Sequence, residues 1–176
     1  MMTASWVIEY LCGVGAVDRS LADLVERFVL SPDAEMAGPM ASSIELKVAP
    51  PRGGLSPSAS GVVSALVAHM PTMAVSVRPC AVALLAQIAG SLLNDEQGGE
   101  HEAARALFSA LPGIGALAQY GDAELQADFV DFAALCAALD PSVARQAVVY
   151  LQRLAAEVGG EIGASAQAEL DHLGKR

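Results

Sequence analysis

The chain has 176 residues and a formal net charge of −10, with 20 acidic against 10 basic side chains. This length is sufficient for one domain with a full hydrophobic core. Hydrophobic residues make up 53% of the chain and aromatic residues only 5%, and the abundant Ala and Leu favour helices over strands. The acidity excludes nucleic acid and anionic membranes as expected partners, because a negative surface repels both.

The N-terminal third predicts two short helices, at about residues 5–12 and 17–30. In the second, apolar side chains recur at the spacing of one helical face: Leu21, Leu24, Val25 and Phe28. The start of the chain lacks a basic segment and carries Glu9 inside a short apolar run. We therefore expect a folded helix there and not a signal peptide.

Residues 44–48 carry a strand signal. Apolar Ile44, Leu46 and Val48 alternate with two charged residues, and a period of two predicts one short β-strand near 44–48. The stretch that follows, residues 49–58, is dominated by proline, glycine and serine. That composition predicts a loop or linker.

The loop divides the chain into an N-terminal helical region, residues 1–48, and an α-helical repeat-like domain, residues 59–176. We expect the two to form one compact unit overall. Asp140 before Pro141 predicts a helix start, with Asp as the N-cap and proline in the first turn, and Asp122 caps the preceding segment. Between the proline and glycine breaks, helices are predicted at about 59–70, 76–93, 100–111, 113–120, 123–139, 141–158 and 161–173.

Two of these segments share a spacing of apolar residues. Val77, Ala81, Leu85 and Ile88 in one correspond to Val143, Ala147, Leu151 and Leu154 in the other, 66 residues further along the chain. The small residue in each set lets a neighbouring helix approach closely, while the larger residues fill the space between layers.

Together with Arg78 in the first segment and Asp140-Pro141 and Arg145 in the second, these stretches resemble the second helix of HEAT-type or armadillo-type repeats. The resemblance extends over about residues 59–158. It implies an all-α, HEAT-like stack of helix pairs. An irregular helical bundle is the alternative.

Residues that carry chemistry are few and scattered. Cys12, Cys80 and Cys136 are far apart and lie in apolar helical patterns, which fits reduced, buried thiols in a cytoplasmic protein. Glu169 and His172 form a single Glu-x-x-His, whereas a di-metal helical bundle uses two. The sequence has no P-loop and no Gly-x-Ser-x-Gly turn after a strand. We therefore expect no enzymatic activity, no cofactor and no metal site.

The acidic residues are concentrated between positions 95 and 140, where nine acidic side chains accompany one basic side chain, Arg105. Glu124, Asp128 and Asp131 lie at i, i+4 and i+7, so they share one face of a predicted helix. Such a face is either simply solvated or serves a basic partner. The expected partner-binding residues are Glu124, Asp128, Asp131, Glu100, Glu102, Asp95 and Glu96.

The sequence favours an acidic protein–protein interaction module. The sharpest hypothesis is an immunity protein or antitoxin that inhibits a basic toxin or nuclease, in the cytoplasm of a bacterium with a GC-rich genome, as the Ala- and Gly-rich composition indicates. One alternative is a helical module that binds a small apolar ligand near Met36, Met40, Met70 and Met73. Another is a structural adaptor subunit of a larger bacterial complex.

Overall fold

A computed structural model describes residues 18–51, 54–94 and 102–175. Within these ranges the chain forms eight α-helices and two short 3₁₀ turns, Met70–Thr72 and Val75–Val77. The helices are α1 (Arg19–Val29), α2 (Ala34–Val48), α3 (Ala59–His69), α4 (Arg78–Leu92), α5 (Glu102–Gln119), α6 (Ala123–Leu139), α7 (Pro141–Glu157) and α8 (Gly160–Leu173). The predicted helix at 5–12 lies outside the described residues.

Aspartate side chains begin four of the helices. Asp18, Asp33, Asp122 and Asp140 cap α1, α2, α6 and α7, and the carboxylate of each accepts a hydrogen bond from a backbone N–H in the first turn, over 2.7–3.0 Å. Such caps satisfy N–H groups that have no partner inside the helix. The caps predicted at Asp122 and Asp140 are confirmed, so part of the acidity has a structural role.

The helices form two layers in which consecutive helices alternate. Helices α1, α3, α5 and α7 contact one another in that order and form layer A, and α2, α4, α6 and α8 do the same and form layer B. The pairs α1–α2, α3–α4, α5–α6 and α7–α8 pack across the two layers. This order of contacts is that of a stack of helix pairs, and the predicted all-α class is confirmed.

Helix α6 occupies the centre of the second half of the fold. It packs against α4 and α8 within layer B and against α5 and α7 of layer A. Its buried aromatic residues, Phe129 and Phe132, have ring centroids 6.4 Å apart. The buried apolar residues form one continuous core that runs from Leu21 to Ala166, so the described part of the N-terminal region packs on the rest.

One stretch of the described residues, Val75–Leu92, is long and apolar enough to cross a membrane by length and composition alone. Within the fold, 56% of that stretch is buried. It includes α4, which packs against α2 on one side and α6 on the other. Burial between two protein helices is typical of the core helix of a folded domain.

The strand predicted near 44–48 is wrong, because these residues form the end of α2. Ile44 and Val48 are fully buried, whereas Leu46 between them is 61% exposed. A strand would place all three side chains on one face. In a helix only Ile44 and Val48, which are four residues apart, share a face. The helix that Asp33 begins therefore continues to Val48.

The break predicted at Pro112-Gly113 is also wrong, since α5 continues through both residues. Pro112 lacks an N–H and so loses one helical hydrogen bond, but it lies on the exposed side of α5. The buried face runs without interruption along the helix, through Leu107, Leu111, Ile114 and Ala118. Burial of this face outweighs the lost hydrogen bond.

The two segments with matching spacing lie in different layers, α4 in layer B and α7 in layer A. Both apolar sets are buried as their spacing predicts. The shared spacing therefore identifies the buried face of each helix and not equivalent places in the stack. The resemblance to HEAT-type repeats stays a prediction.

Candidate partner-binding surface

Helix α6 presents three of the predicted partner-binding residues on one side. Glu124 and Asp131 are exposed and Asp128, between them, is half-buried. Glu124 lies in the first turn, next to the N-cap Asp122, where the helix dipole favours negative charge. Asp128 and Asp131 lie further along, where the dipole gives little compensation. The structure thus brings these three carboxylates together as the sequence spacing predicts.

Asp128 is partly buried and lies among three other acidic side chains. Partial burial, followed by repulsion from Glu124, Asp131 and Asp122, raises its pKa from the ordinary value of 3.8 to about 6. All three charged neighbours that act on it are acidic. A nearby positive charge would stabilise the ionised carboxylate and lower this pKa.

The first turn of α4 lies against the acidic side of α6. Burial raises the pKa of the half-buried Cys80 thiol, and the negative charges of Glu124 and Asp128 raise it further. Cys136 of α6 is fully buried, and burial raises its pKa to about 12. Both thiols are therefore protonated and poorly nucleophilic at neutral pH. Cys136 is buried as the sequence predicts, whereas Cys80 is only half-buried. Cys12 lies outside the described residues.

A cleft of about 500 Å³ lies between the C-terminal halves of α4, α6 and α8, and we call it the layer-B cleft. Its polar lining comprises Gln87, Asp131, Glu169 and His172, and its larger apolar side chains are Leu93, Leu135 and Leu173. Small residues, Ala86, Gly90, Ala134 and Ala138, line the rest. The Glu169/His172 pair noted in the sequence thus lines the same cleft as Asp131. The described residues contain no group of three His, Cys, Asp or Glu side chains arranged to hold a metal ion.

A smaller groove of about 240 Å³ lies next to this cleft in layer B. It lies between α2 and α4 and is lined by Gly38, Ala41, Glu45 and Cys80, among others. Gln87 lines both the groove and the layer-B cleft. The two depressions therefore adjoin, and together they cross all four helices of layer B.

The remaining predicted site residues are placed differently. Glu102 is exposed at the start of α5 and lines a cleft of about 520 Å³ between α3 and α5, beside Arg105. That cleft belongs to layer A, so Glu102 does not share a depression with the acidic residues of α6. Asp95, Glu96 and Glu100 lie outside the described residues.

Charged side chains are divided unequally between the layers. The helices of layer B carry eight acidic and two basic side chains. The helices of layer A carry four acidic and five basic ones. Layer B therefore holds the excess negative charge of the helices, and six of its eight acidic side chains belong to α6 and α8.

The four methionines considered for a ligand pocket have different surroundings. Met70 and Met73 belong to the core, whereas Met36 is 55% exposed. None of the three depressions described above is lined by methionine. The methionines thus give no support to a shared apolar pocket.

Sequence reasoning missed the placement of Glu169 and Asp131 in one cleft and the unequal division of charge between the layers. The available signal was the count of charges per helix, because alternate helices of a helix-pair stack lie in the same layer. Counting acids along the chain instead groups α5 with α6, which lie in different layers.

Comparisons with models of known protein families, with curated proteins and with solved structures found no match in any of the three. A functional interpretation of this chain therefore depends on its own geometry and charge.

Proposed function

We propose that the chain is an acidic, cytoplasmic interaction module that binds a basic protein through the carboxylates of α6. The most specific form of the proposal is an inhibitor of the immunity or antitoxin type, which neutralises a basic toxin or nuclease of a bacterial system. Binding without catalysis is sufficient for that role.

The observation that carries the proposal is the uncompensated charge around Asp128. Its pKa of about 6 reflects burial and three acidic neighbours, so the carboxylate that predominates at neutral pH is less stable than that of an ordinary Asp. A lysine or arginine of a partner, placed among these carboxylates, would relieve the repulsion. The same negative field would accelerate association with a basic partner and make it sensitive to salt.

The experiment uses the purified chain as bait in a lysate of its native cells, bound at low ionic strength and eluted with salt. A basic protein recovered in this way is then purified, and its affinity for the chain is measured directly. We expect the double variant Asp128→Lys/Asp131→Lys to bind at least tenfold more weakly than the original chain, because charge reversal turns attraction into repulsion.

The matched control is Asp23→Lys/Glu157→Lys, which makes the same change in net charge on two exposed residues of layer A. We expect it to change affinity less than threefold. Equal losses in both double variants would show that only net charge matters. Unchanged affinity in the α6 variant, or no basic protein released by salt, would contradict the proposal.

A further inference from the structure

The layer-B cleft is lined by apolar side chains and by carboxylates, together with Gln87 and His172. Leu93, Leu135 and Leu173 line it, and Leu93, the residue that follows α4, is 43% exposed. Asp131 and Glu169 lie at the same cleft. An apolar depression bordered by carboxylates is complementary to a segment that presents apolar and basic side chains together.

The direction of the helices adds to the negative potential at this place. Cys80, near the start of α4, lies close to Glu124 and Asp128 in the first half of α6, whereas the last turns of α4 lie beside the second half of α6. The two helices therefore run in the same direction. The last turn of α8 also lines the cleft, so three helices direct their C-terminal halves towards it, and helix C-termini favour cations.

We propose that the layer-B cleft binds a basic segment of the partner protein. Apolar side chains of that segment fill the space between Leu93, Leu135 and Leu173, and a lysine or arginine pairs with Asp131 and Glu169. This inference rests on the proposed function and adds to it the place and the chemistry of the contact. A protein segment is the occupant that fits, because the adjoining groove at Gln87 extends the depression across four helices.

Gly90 offers a way to fill the cleft without disturbing the fold. It lies in α4 and lines the cleft, and a Cβ atom added there would meet no other atom within 4 Å. The variant Gly90→Leu should therefore fold normally and occupy the space that the partner's apolar side chain needs. Gly113 of α5 provides the matched control, since it is also helical, exposed and free of neighbours within 4 Å, but lies in layer A.

The probe is a fluorescein-labelled amphipathic peptide with leucines on one helical face and lysines on the other, titrated with the full chain in low salt. Two companion peptides replace all leucines with serine or all lysines with glutamate. We expect the Leu/Lys peptide to bind most tightly, Gly90→Leu to weaken its binding at least tenfold, and Gly113→Leu to change it less than twofold. Circular dichroism confirms that each variant is folded.

Charge neutralisation provides the second arm. We expect Asp131→Asn/Glu169→Gln to weaken binding of both lysine peptides at least threefold, whereas Asp23→Asn/Glu157→Gln, on exposed residues of layer A, leaves it unchanged. If both lysine peptides bind equally well and Gly90→Leu binds like the original chain, the cleft inference is overturned while the acidic surface remains a binding site. If neither lysine peptide binds the original chain in low salt, the proposed function falls as well.

Discussion

Layers A and B are built by the same packing rules but differ in what they present to solvent. Both contribute helices whose apolar faces meet in one continuous core. The helices of layer B carry eight acidic and two basic side chains, against four and five in layer A. The core requires only that the inward faces be apolar, so the charge on the outer faces is free to differ between the layers. The proposed partner-binding surface lies on the more acidic one, layer B.

The two layers are joined by a contact between aromatic side chains. Tyr150 of α7 contacts Phe129 of α6, with ring centroids 6.0 Å apart in an edge-on arrangement. The Tyr150 ring also lies so close to Gly115 of α5 that a Cβ added there would be 2.6 Å from a ring carbon. Stability is therefore expected to depend on this junction more than on either outer face.

The largest effect is expected from Phe129→Ala, which removes a fully buried ring between the layers. Loss of a buried Phe leaves a cavity and costs about 3–5 kcal/mol of unfolding free energy. Urea denaturation followed by circular dichroism measures it. Tyr120→Ala is the control, because Tyr120 is 84% exposed, and its effect should stay within about 0.5 kcal/mol. A small effect of Phe129→Ala would mean that the layers are not joined through this ring.

A smaller loss is expected from Gly115→Ala. The added Cβ would lie 2.6 Å from a ring carbon of Tyr150, so the ring or α5 must move, and such overpacking costs about 1–3 kcal/mol. Gly113→Ala, two residues earlier in the same helix, adds the same methyl group in open space. The difference between the two denaturation curves isolates the close approach of α5 to α7. Equal stabilities would contradict that approach.

The fold was more accessible from sequence than the binding surface. Spacing identified the buried faces of α4 and α7, and Asp140 marked the start of α7, because these signals are local. At residues 44–48 the period of two predicted a strand, and that prediction was wrong. Ile44 and Val48 are four positions apart and therefore also share a helical face, while Leu46 between them is exposed. Pro112 was read as a break because sequence does not show that its missing N–H lies on the solvent side.

The layer-B cleft was beyond sequence reasoning for a different reason. It joins Gly90, Asp131 and Glu169 from three helices that are consecutive in space but not along the chain. They are neighbours because alternate helices of the stack lie in the same layer. Spacing within a single helix does reveal the grouping of Glu124, Asp128 and Asp131, and that part of the prediction agrees with their placement.

The charge difference between the layers should appear in the pH dependence of stability. The pKa of Asp128 is raised to about 6 in the folded protein, so the folded state binds this proton more tightly than the unfolded state, whose pKa is about 3.9. The resulting penalty is absent below about pH 4, grows as pH rises to about 6, and is complete above that. Because the side chain is half-exposed, solvent screening reduces the penalty to about 1 kcal/mol.

Asp128→Asn removes that penalty. At pH 7.5 the variant should be more stable than the original chain by about 1 kcal/mol, a rise of about 2–4 °C in Tm, and the gain should vanish near pH 4. Asp23→Asn in layer A is the control, because Asp23 is exposed on α1, and we expect no comparable pH-dependent gain. A gain that is independent of pH would show that charge is not its cause.

The smallest effects are expected from alanine at the open helical glycines, and they test whether the cleft is needed for stability. Gly90→Ala in layer B and Gly113→Ala in layer A both add a Cβ that meets nothing within 4 Å. Each should stabilise the fold by about 0.5–1 kcal/mol, since glycine loses more backbone entropy than alanine in a helix. Thermal denaturation compares the two. Equal gains would mean that the fold does not need a glycine at position 90, so the space beside it is open to a partner's side chain. A loss of stability at Gly90 alone would mean that packing of the fold itself requires the glycine.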